Sequence, residues 1–406
     1  MTKILKILGP PGTGKTTKLL ELVKKEMENY SIQRIGYFSF TKKATEEVRD
    51  RIIKDENFDF EEKDFKWFCT LHSCCLNSIN KEGREVIQSS QLRKVAEKTG
   101  IIAMKTGINS DTGLTNNDYF DHIHLARQRE MSLKEHYKEY ADPSKIEWMK
   151  LKLLDAAYTE YKKVNNYLDF DDMLCEAIEK DCLPDLDVIF VDEAQDLSSI
   201  QWKVVNSFKN IDKLYLAGDD DQAIYRWMGA DVEKFIAFEA EEEVLPKSYR
   251  VKKKIQDFAQ RIISPVKNRI PKEWEPKDEE GVLKYHTKIQ GVDLSEGEWL
   301  LLARDKYILA EHIEKWCKDI GLWYVKKDKM TKSWKKPLSK KLFDAYEGWN
   351  ALVAGESIDK KTIKKIFFYK HVDDEVNDKI ENLAESHLFD LDSLKVVLGN
   401  FLTGTW

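Results

Sequence analysis

Apolar residues run from Ile4 to Leu8, give way to a glycine-rich stretch, and then recur at helical spacing from Thr16 to about Glu28, which predicts strand, loop and helix. Comparable apolar runs at Ile35 to Phe40, Phe65 to Cys69, Val188 to Val191 and Leu214 to Ala217 predict further strands. Buried strands alternating with helices imply an α/β fold on a parallel sheet covered on both faces. Between Cys74 and Pro184 the pattern becomes helical and charged with no clear strand, predicting a helical insertion over about 76–180. A second α/β unit is expected from Leu245, with strands at Val282 to His286 and Trp299 to Ala303, a helix near Tyr307 to Asp319 and a strand at Trp323 to Lys326. From Leu338 onward the pattern is helical, so the regions are 1–244, 245–337 and 338–406.

Composition narrows the class. With 406 residues, 42% hydrophobic and 34% charged, the chain can form two or three cores and is too polar for a membrane protein. No apolar run approaches the ~20 residues that span a bilayer, and Met1 leads into a strand instead of a signal-peptide core. A cytoplasmic protein without membrane contact is expected. The cysteines Cys69, Cys74, Cys75, Cys175, Cys182 and Cys317 form no C-x-x-C pair, which suits reduced core thiols. A formal charge of -6 confines any nucleic-acid contact to local patches. Two stretches qualify, Lys252 to Lys272 and Lys326 to Lys341, although both also suit solvated helix faces or loops. The acidic run Glu239 to Glu243 reads as an exposed patch.

Candidate chemistry begins with Gly9-Pro10-Pro11-Gly12-Thr13-Gly14-Lys15-Thr16, which fits G-x-x-x-x-G-K-[ST] between a strand and a helix. The glycines let backbone N-H groups curl around phosphates, Lys15 reaches the β and γ oxygens, and the Thr16 hydroxyl ligates Mg²⁺. ATP with Mg²⁺ is therefore the expected ligand. The strand Val188 to Val191 ends in Asp192-Glu193-Ala194-Gln195-Asp196, where Asp192 would hold the metal and Glu193 would polarise the attacking water. A third segment, Gly218 to Ala230, places Gln222 three and five residues from Tyr225 and Trp227. Such aromatics stack on any base for ~1 to 3 kcal/mol each, gripping a strand without reading its sequence. The competing explanation for Trp227 and Phe40 is that they are core aromatics.

In their order, these segments resemble superfamily 1 DNA helicases of the UvrD/Rep/PcrA type. Further matches support the resemblance: Phe38-Ser39-Phe40-Thr41-Lys42-Lys43-Ala44 resembles motif Ia, Thr70-Leu71-His72-Ser73 motif Ib, and Leu245-Pro246-Lys247-Ser248-Tyr249-Arg250 motif IV. Asp169 to Leu174 resembles the segment just before the acidic pair. The resemblance covers roughly 4–326 and implies a P-loop NTPase with a RecA-like first domain, a partial second one, and a helical segment like the start of an inserted subdomain. It implies that Lys15, Asp192, Glu193, Gln222 and Arg250 are catalytic, with Gln222 sensing the γ-phosphate and Arg250 binding it. Gly9 to Thr17 and Tyr249 would hold the nucleotide, with Tyr249 stacking on adenine. Phe40, Thr41, Thr70, His72, Tyr225 and Trp227 would contact DNA. The implied activity is ATP-driven 3′ to 5′ translocation on single-stranded DNA, with strand separation at single/double-strand junctions.

The chain departs from that pattern in places. Thr17 stands where an adenine-stacking arginine is common, Ser248 replaces an asparagine, and Met228 replaces the arginine of the W-R-G loop. No segment resembles T-I-H-x-x-K-G-x-E or the later arginine motif, and a separate chain supplying them is one expectation. The alternative function is a nucleotide-gated single-stranded-DNA binder, or half of a split helicase, without independent unwinding. A small-molecule kinase is opposed by Asp192-Glu193 and the Gln222 loop.

Overall fold

The computed structural model describes residues 2–79, 83–101, 115, 117–294, 297–303, 307–319, 326–327, 334–335, 340–370 and 374–398. The chain divides into two compact units, Met1–Lys284 and Tyr285–Trp406. In the first, a strand β1 (Lys3–Leu8) leads into helix α1 (Lys15–Met27), then β2 (Ile35–Ser39), α2 (Lys42–Ile53), β3 (Phe68–Cys69) and α3 (Leu71–Ser78). The insertion carries a short strand β4 (Glu85–Val86), helices α4 (Ser89–Lys98), α5 (Asp118–Gln128), α6 (Leu133–Tyr140) and α7 (Trp148–Val164), and a short strand β5 (Tyr167–Leu168). Helix α8 (Phe170–Glu179), β6 (Val188–Asp192), α9 (Ser199–Ser207), β7 (Lys213–Gly218), α10 (Val232–Ala237) and β8 (Glu241–Val244) complete the wrap around the main sheet.

That sheet has six strands in the order β3-β2-β6-β7-β1-β8, every pair parallel. Strict alternation splits each central strand between two cores. Val188 and Phe190 of β6 pack with Leu19, Val23, Val48 and Ile52 of α1 and α2. Ile189 and Val191 pack with Leu71, Cys74, Leu174 and Trp202 on the opposite face. A parallel sheet covered on both faces satisfies its backbone through the ladder and buries near-continuous apolar strands, as the sequence predicts.

Among the described residues, the insertion's regular structure is helical except for the β4/β5 pair, a parallel ladder of two residues per strand. It is fixed to the sheet domain through Asp169, Asp171 and Asp172 at the start of α8. Arg127 reaches Asp169 at 3.0 Å and Asp172 at 2.7 Å, His124 Nδ1 lies 2.9 Å from Asp171, and Lys162 contacts both Asp169 and Asp172. The segment resembling the lead into the acidic pair is thus an anchor for the insertion.

The acidic run is largely exposed, as expected, but Glu241 to Glu243 also form β8, the edge strand of the main sheet, pairing with Leu5 to Ile7. Glu242 is 2.9 Å from the buried Lys6 amine and Glu243 is 2.7 Å from Lys18. The run of like charge concealed a strand because such residues have low intrinsic preference for sheets.

Beyond β8, strand β9 (Lys247–Lys252), helix α11 (Lys253–Ile263) and strand β10 (Glu275–Lys277) form a separate two-stranded ladder. The strands expected at Val282 to His286 and Trp299 to Ala303 are not formed; those residues lie in irregular structure. They form no ladder with a neighbouring strand among the described residues. In the second unit the expected helix becomes a π-helical turn over Ile308–Glu314 followed by α12 (Lys315–Asp319). Most of the strand expected at Trp323 to Lys326 lies outside the described residues. Helices α13 (Lys340–Val353), α14 (Lys360–Lys370), α15 (Asp374–Glu381) and α16 (Leu391–Leu398) pack around Trp349, Leu352, Ile366, Phe367 and Leu394. An antiparallel pair of two-residue strands, Ile358–Asp359 and Leu388–Phe389, joins them. Among the described residues, no helix is long and apolar enough to cross a membrane.

Candidate functional site

Three neighbouring strands, β6, β7 and β1, deliver their carboxyl ends to one place, where open α/β sheets bind ligands. Leu8 is in register with Gly218, and the Gly9 N-H donates to the Gly218 carbonyl at 3.0 Å, so the loop after β1 starts beside the loop after β7. Gly14 adopts φ 87° as it leads into α1, whose first turn carries no acidic residue and whose last turn carries Lys24 and Lys25. That distribution leaves the helix N-terminus open to an anion. Lys15 folds back over the loop and donates from Nζ to the Gly9 carbonyl at 3.0 Å. A Cβ on Gly9 would lie 1.9 Å from Lys15 Cγ, so this fold-back requires glycine.

The acidic pair is close by. The Thr16 hydroxyl is 3.3 Å from Asp192 Oδ2, and the Tyr37 hydroxyl donates to the same oxygen at 3.1 Å. Burial, then the neighbouring Glu193 charge, pushes the Asp192 carboxyl up to about 6. A buried carboxylate held near a hydroxyl, its charge opposed by burial, fits a divalent cation held by Thr16 and Asp192, which would supply the compensating positive charge. Glu193 sits in left-handed backbone, φ 54°, stabilised by its own N-H donating to Asp192 Oδ1 at 3.0 Å. Its carboxylate lies 3.7 Å from Lys15 Nζ and accepts from Gln195 Nε2 at 3.0 Å.

Gln195 carries the connection further. Its Oε1 accepts from the Asp219 N-H at 3.0 Å, and Asp219 Oδ2 accepts from Gln222 Nε2 at 2.5 Å. A Cβ on Gly218 would lie 2.7 Å from Gln195 Oε1, so a side chain there would break the link. A continuous polar path thus runs from Glu193 to Gln222.

The aromatic residues gather at the far end of that loop. Phe40 follows β2 directly, beside Ser39, which is in register with Asp192, and its ring stacks on Tyr225 with centroids 5.5 Å apart and planes at 19°. Trp227 is 59% exposed, which removes the core explanation for it. The loop rests on the insertion: Arg129 donates to the Arg226 carbonyl at 3.3 Å, and Gly229, at φ 95°, lies so near Gln128 that a Cβ would come within 3.1 Å of it.

Other expected contacts take different roles. Thr41 and Thr70 cap α2 and α3, accepting from the Ala44 and Ser73 N-H groups. His72 is buried, its ring packs edge-on against Phe170 at 5.6 Å, and burial lowers it to about 4. Its Nε2 is buried without a hydrogen-bond partner, and a neutral, enclosed imidazole brings no charge to the surface. The basic stretch Lys252 to Lys272 is largely neutralised: Lys252 meets Glu279, Arg269 meets Asp221 at 2.5 Å, and Lys272 is enclosed by Asp219, Asp220 and Asp221.

From β9, Ser248 Oγ donates to the Pro11 carbonyl at 2.7 Å and the Tyr249 N-H donates to the Gly12 carbonyl at 2.9 Å. Gly12 faces Arg250 so closely that a Cβ would be 2.4 Å from Arg250 Cβ. The Tyr249 side chain is 74% exposed, and Arg250 is exposed as well. Pro10 and Thr13 are buried within the loop, whereas Thr17 is exposed on the first turn of α1. Sequence reasoning assigned no role to Tyr37, Gln195 or Asp219, and read Lys272 only as the end of a basic stretch. The Asp-Glu-x-Gln spacing was a usable signal for Gln195, but nothing local announces a lysine fifty residues from its carboxylates.

A family model described as the UvrD/REP helicase N-terminal domain matches residues 1–243. Over 393 residues the chain is 25% identical to the ATP-dependent DNA helicase PcrA of Bacillus subtilis (strain 168), covering 90% of this chain and 50% of that protein. It is 27% identical over 292 residues to PcrA of Leuconostoc citreum, covering 66% of this chain and 38% of the relative. A probable DNA helicase II homolog of Mycoplasma capricolum is 28% identical over 301 residues, covering 67% and 40%. The chain therefore spans half or less of the length of these relatives. With the P-loop, the acidic strand end and the glutamine loop gathered at one edge of a parallel sheet, the chain belongs to the UvrD/REP helicase N-terminal domain family.

Proposed function

We propose that the chain binds ATP and Mg²⁺ between the P-loop and Asp192 and couples hydrolysis to 3′ to 5′ movement on single-stranded DNA, as an ATP-dependent helicase or translocase. The observation that supports this most is the polar path Glu193–Gln195–Asp219–Gln222, which ends three residues before the Phe40–Tyr225 stack. In this reading Lys15 and the loop amides hold the phosphates, Thr16 and Asp192 hold the metal, and Glu193 orients water. Gln222 releases Asp219 to meet the γ-phosphate. That release shifts the loop carrying Tyr225 and Trp227, so bases exchange places against the aromatic faces. Arg250 and Tyr249, carried beside the P-loop by β9, meet the phosphates and the base.

Steady-state hydrolysis measured with and without single-stranded DNA, against a Lys15→Ala control, tests the reading. DNA-stimulated turnover well above the control is expected; turnover equal to the control would sink it. The exposed Arg250 and Tyr249 favour a second reading, a nucleotide-gated DNA binder with little turnover. In that case DNA affinity changes between ATP and ADP while hydrolysis stays at the control level.

A further inference from the structure

Three consecutive carboxylates, Asp219, Asp220 and Asp221, follow β7, and their counter-charges come from a segment about fifty residues later. Lys272 Nζ lies 3.0 Å from Asp219 Oδ1 and 3.3 Å from Asp221 Oδ2, and it also bonds Asp220. Arg269 grips Asp221 with both ends of its guanidinium, at 2.8 and 2.5 Å, and the Ile270 N-H donates to Asp220 Oδ2 at 2.8 Å. The Lys272 and Asp219 side chains are each only 1% exposed. Burial opposes both charges; for Lys272 the facing aspartates outweigh it and raise its pKa.

The division of Asp219 is informative. One oxygen takes Lys272 and the other takes the Gln222 amide, while its backbone N-H is held by Gln195. Lys272 therefore fixes the carboxylate on which Gln222 is parked. It also lies three residues before Glu275, whose N-H donates to the Pro246 carbonyl at 2.7 Å and which pairs with Lys247 of β9. Displacing β9, which carries Arg250, would move the lysine that holds Asp219.

We propose that Lys272 is a positioning residue: through Asp219 it sets the resting place of the Gln222 amide, and so governs how the site tells a nucleoside triphosphate from a diphosphate. This rests on reading Gln222 as the group that meets the γ-phosphate. Lysine, with three rotatable donors on a flexible stem, can serve Asp219, Asp220 and Asp221 together.

The test is calorimetric titration of the 406-residue chain with Mg²⁺ and either ADP or a non-hydrolysable ATP analogue, which reads discrimination without turnover. The parent is expected to prefer the triphosphate. Lys272→Met should reduce that preference about ten-fold, as loss of one charge-assisted hydrogen bond implies, while leaving ADP affinity unchanged. Lys272→Arg should keep most of the preference. Because an unpaired buried carboxylate destabilises, Lys272→Met/Asp220→Asn removes one charge of each sign and retains the test. A folded Met variant with the parent's preference overturns the proposal, as does equal loss of ADP and triphosphate binding or a parent with no preference. Absent hydrolysis with a Lys272-dependent preference supports the proposal while removing the turnover reading.

Discussion

The two sides of the nucleotide site are built differently. On one side Leu8, Val191, Asp192 and Gly218 end strands that are buried on both faces, and their side chains are fixed by packing. On the other, β9 presents Ser248, Tyr249 and Arg250 from a two-stranded ladder beside α11, a helix with no buried residue. The sheet side is preorganised by burial, whereas the β9 side is clasped by the bonds from Ser248 to Pro11 and from Tyr249 to Gly12. Few apolar contacts mean low local stability, and elements that move during a cycle come from that end of the range. The difference implies a rigid side that holds the nucleotide and orients water, and a looser side that completes the clamp.

Arg250→Ala is the sharpest way to break the comparison. If β9 completes the clamp, turnover should fall roughly 10³-fold with nucleotide affinity little changed, as for arginines that stabilise phosphoryl-transfer charge; rapid-quench turnover showing less than a ten-fold loss would place the chemistry wholly on the sheet side. Glu193→Gln should lower turnover by roughly 10²- to 10⁴-fold and retain binding of an ATP analogue. Loss of binding in titration would contradict its assignment to water.

Ser248→Ala probes the clasp itself. It removes the donor to Pro11 and the acceptor of the Arg250 and Val251 N-H groups, so a loss of about 1–2 kcal/mol in stability toward urea is expected, together with faster amide exchange confined to β9. Uniform exchange across the sheet would mean the two sides do not separate.

Asp196→Asn should give the smallest change. Burial, then the Glu193 charge, raises this carboxyl from 3.8 to about 7, against the opposing effect of Lys15. The folded state therefore binds this proton more readily than the unfolded state, and its contribution to stability falls as pH rises from about 4 through 7. Asparagine has no such loss, so the variant should gain about 2–4 °C in melting temperature over the parent at pH 8 and nothing at pH 4. An advantage that is flat with pH would count against a buried proton at this position.

The same contrast explains what the sequence made legible. β1, β6 and β7 announce themselves because a strand buried on both faces must be continuously apolar, and the P-loop residues because phosphate binding restricts both residue type and spacing. α11 has an equally clear apolar period, yet none of its residues is fully buried, since periodicity describes a face and not how completely a partner covers it. The runs at Val282 and Trp299 failed as strands for the same reason. β8 was missed because its glutamates pack through their backbone ladder, and Lys272 because its partners are distant in sequence.

Among the described residues the sheet ends on one side at β8, so Glu241, Glu242 and Glu243 lie along its border. An open border is a template for a second chain, and a row of carboxylates repels any copy of itself. Replacing these glutamates with uncharged residues would remove that repulsion while leaving the border's N-H and C=O groups available, so self-association should rise in such a variant before the buried strands separate.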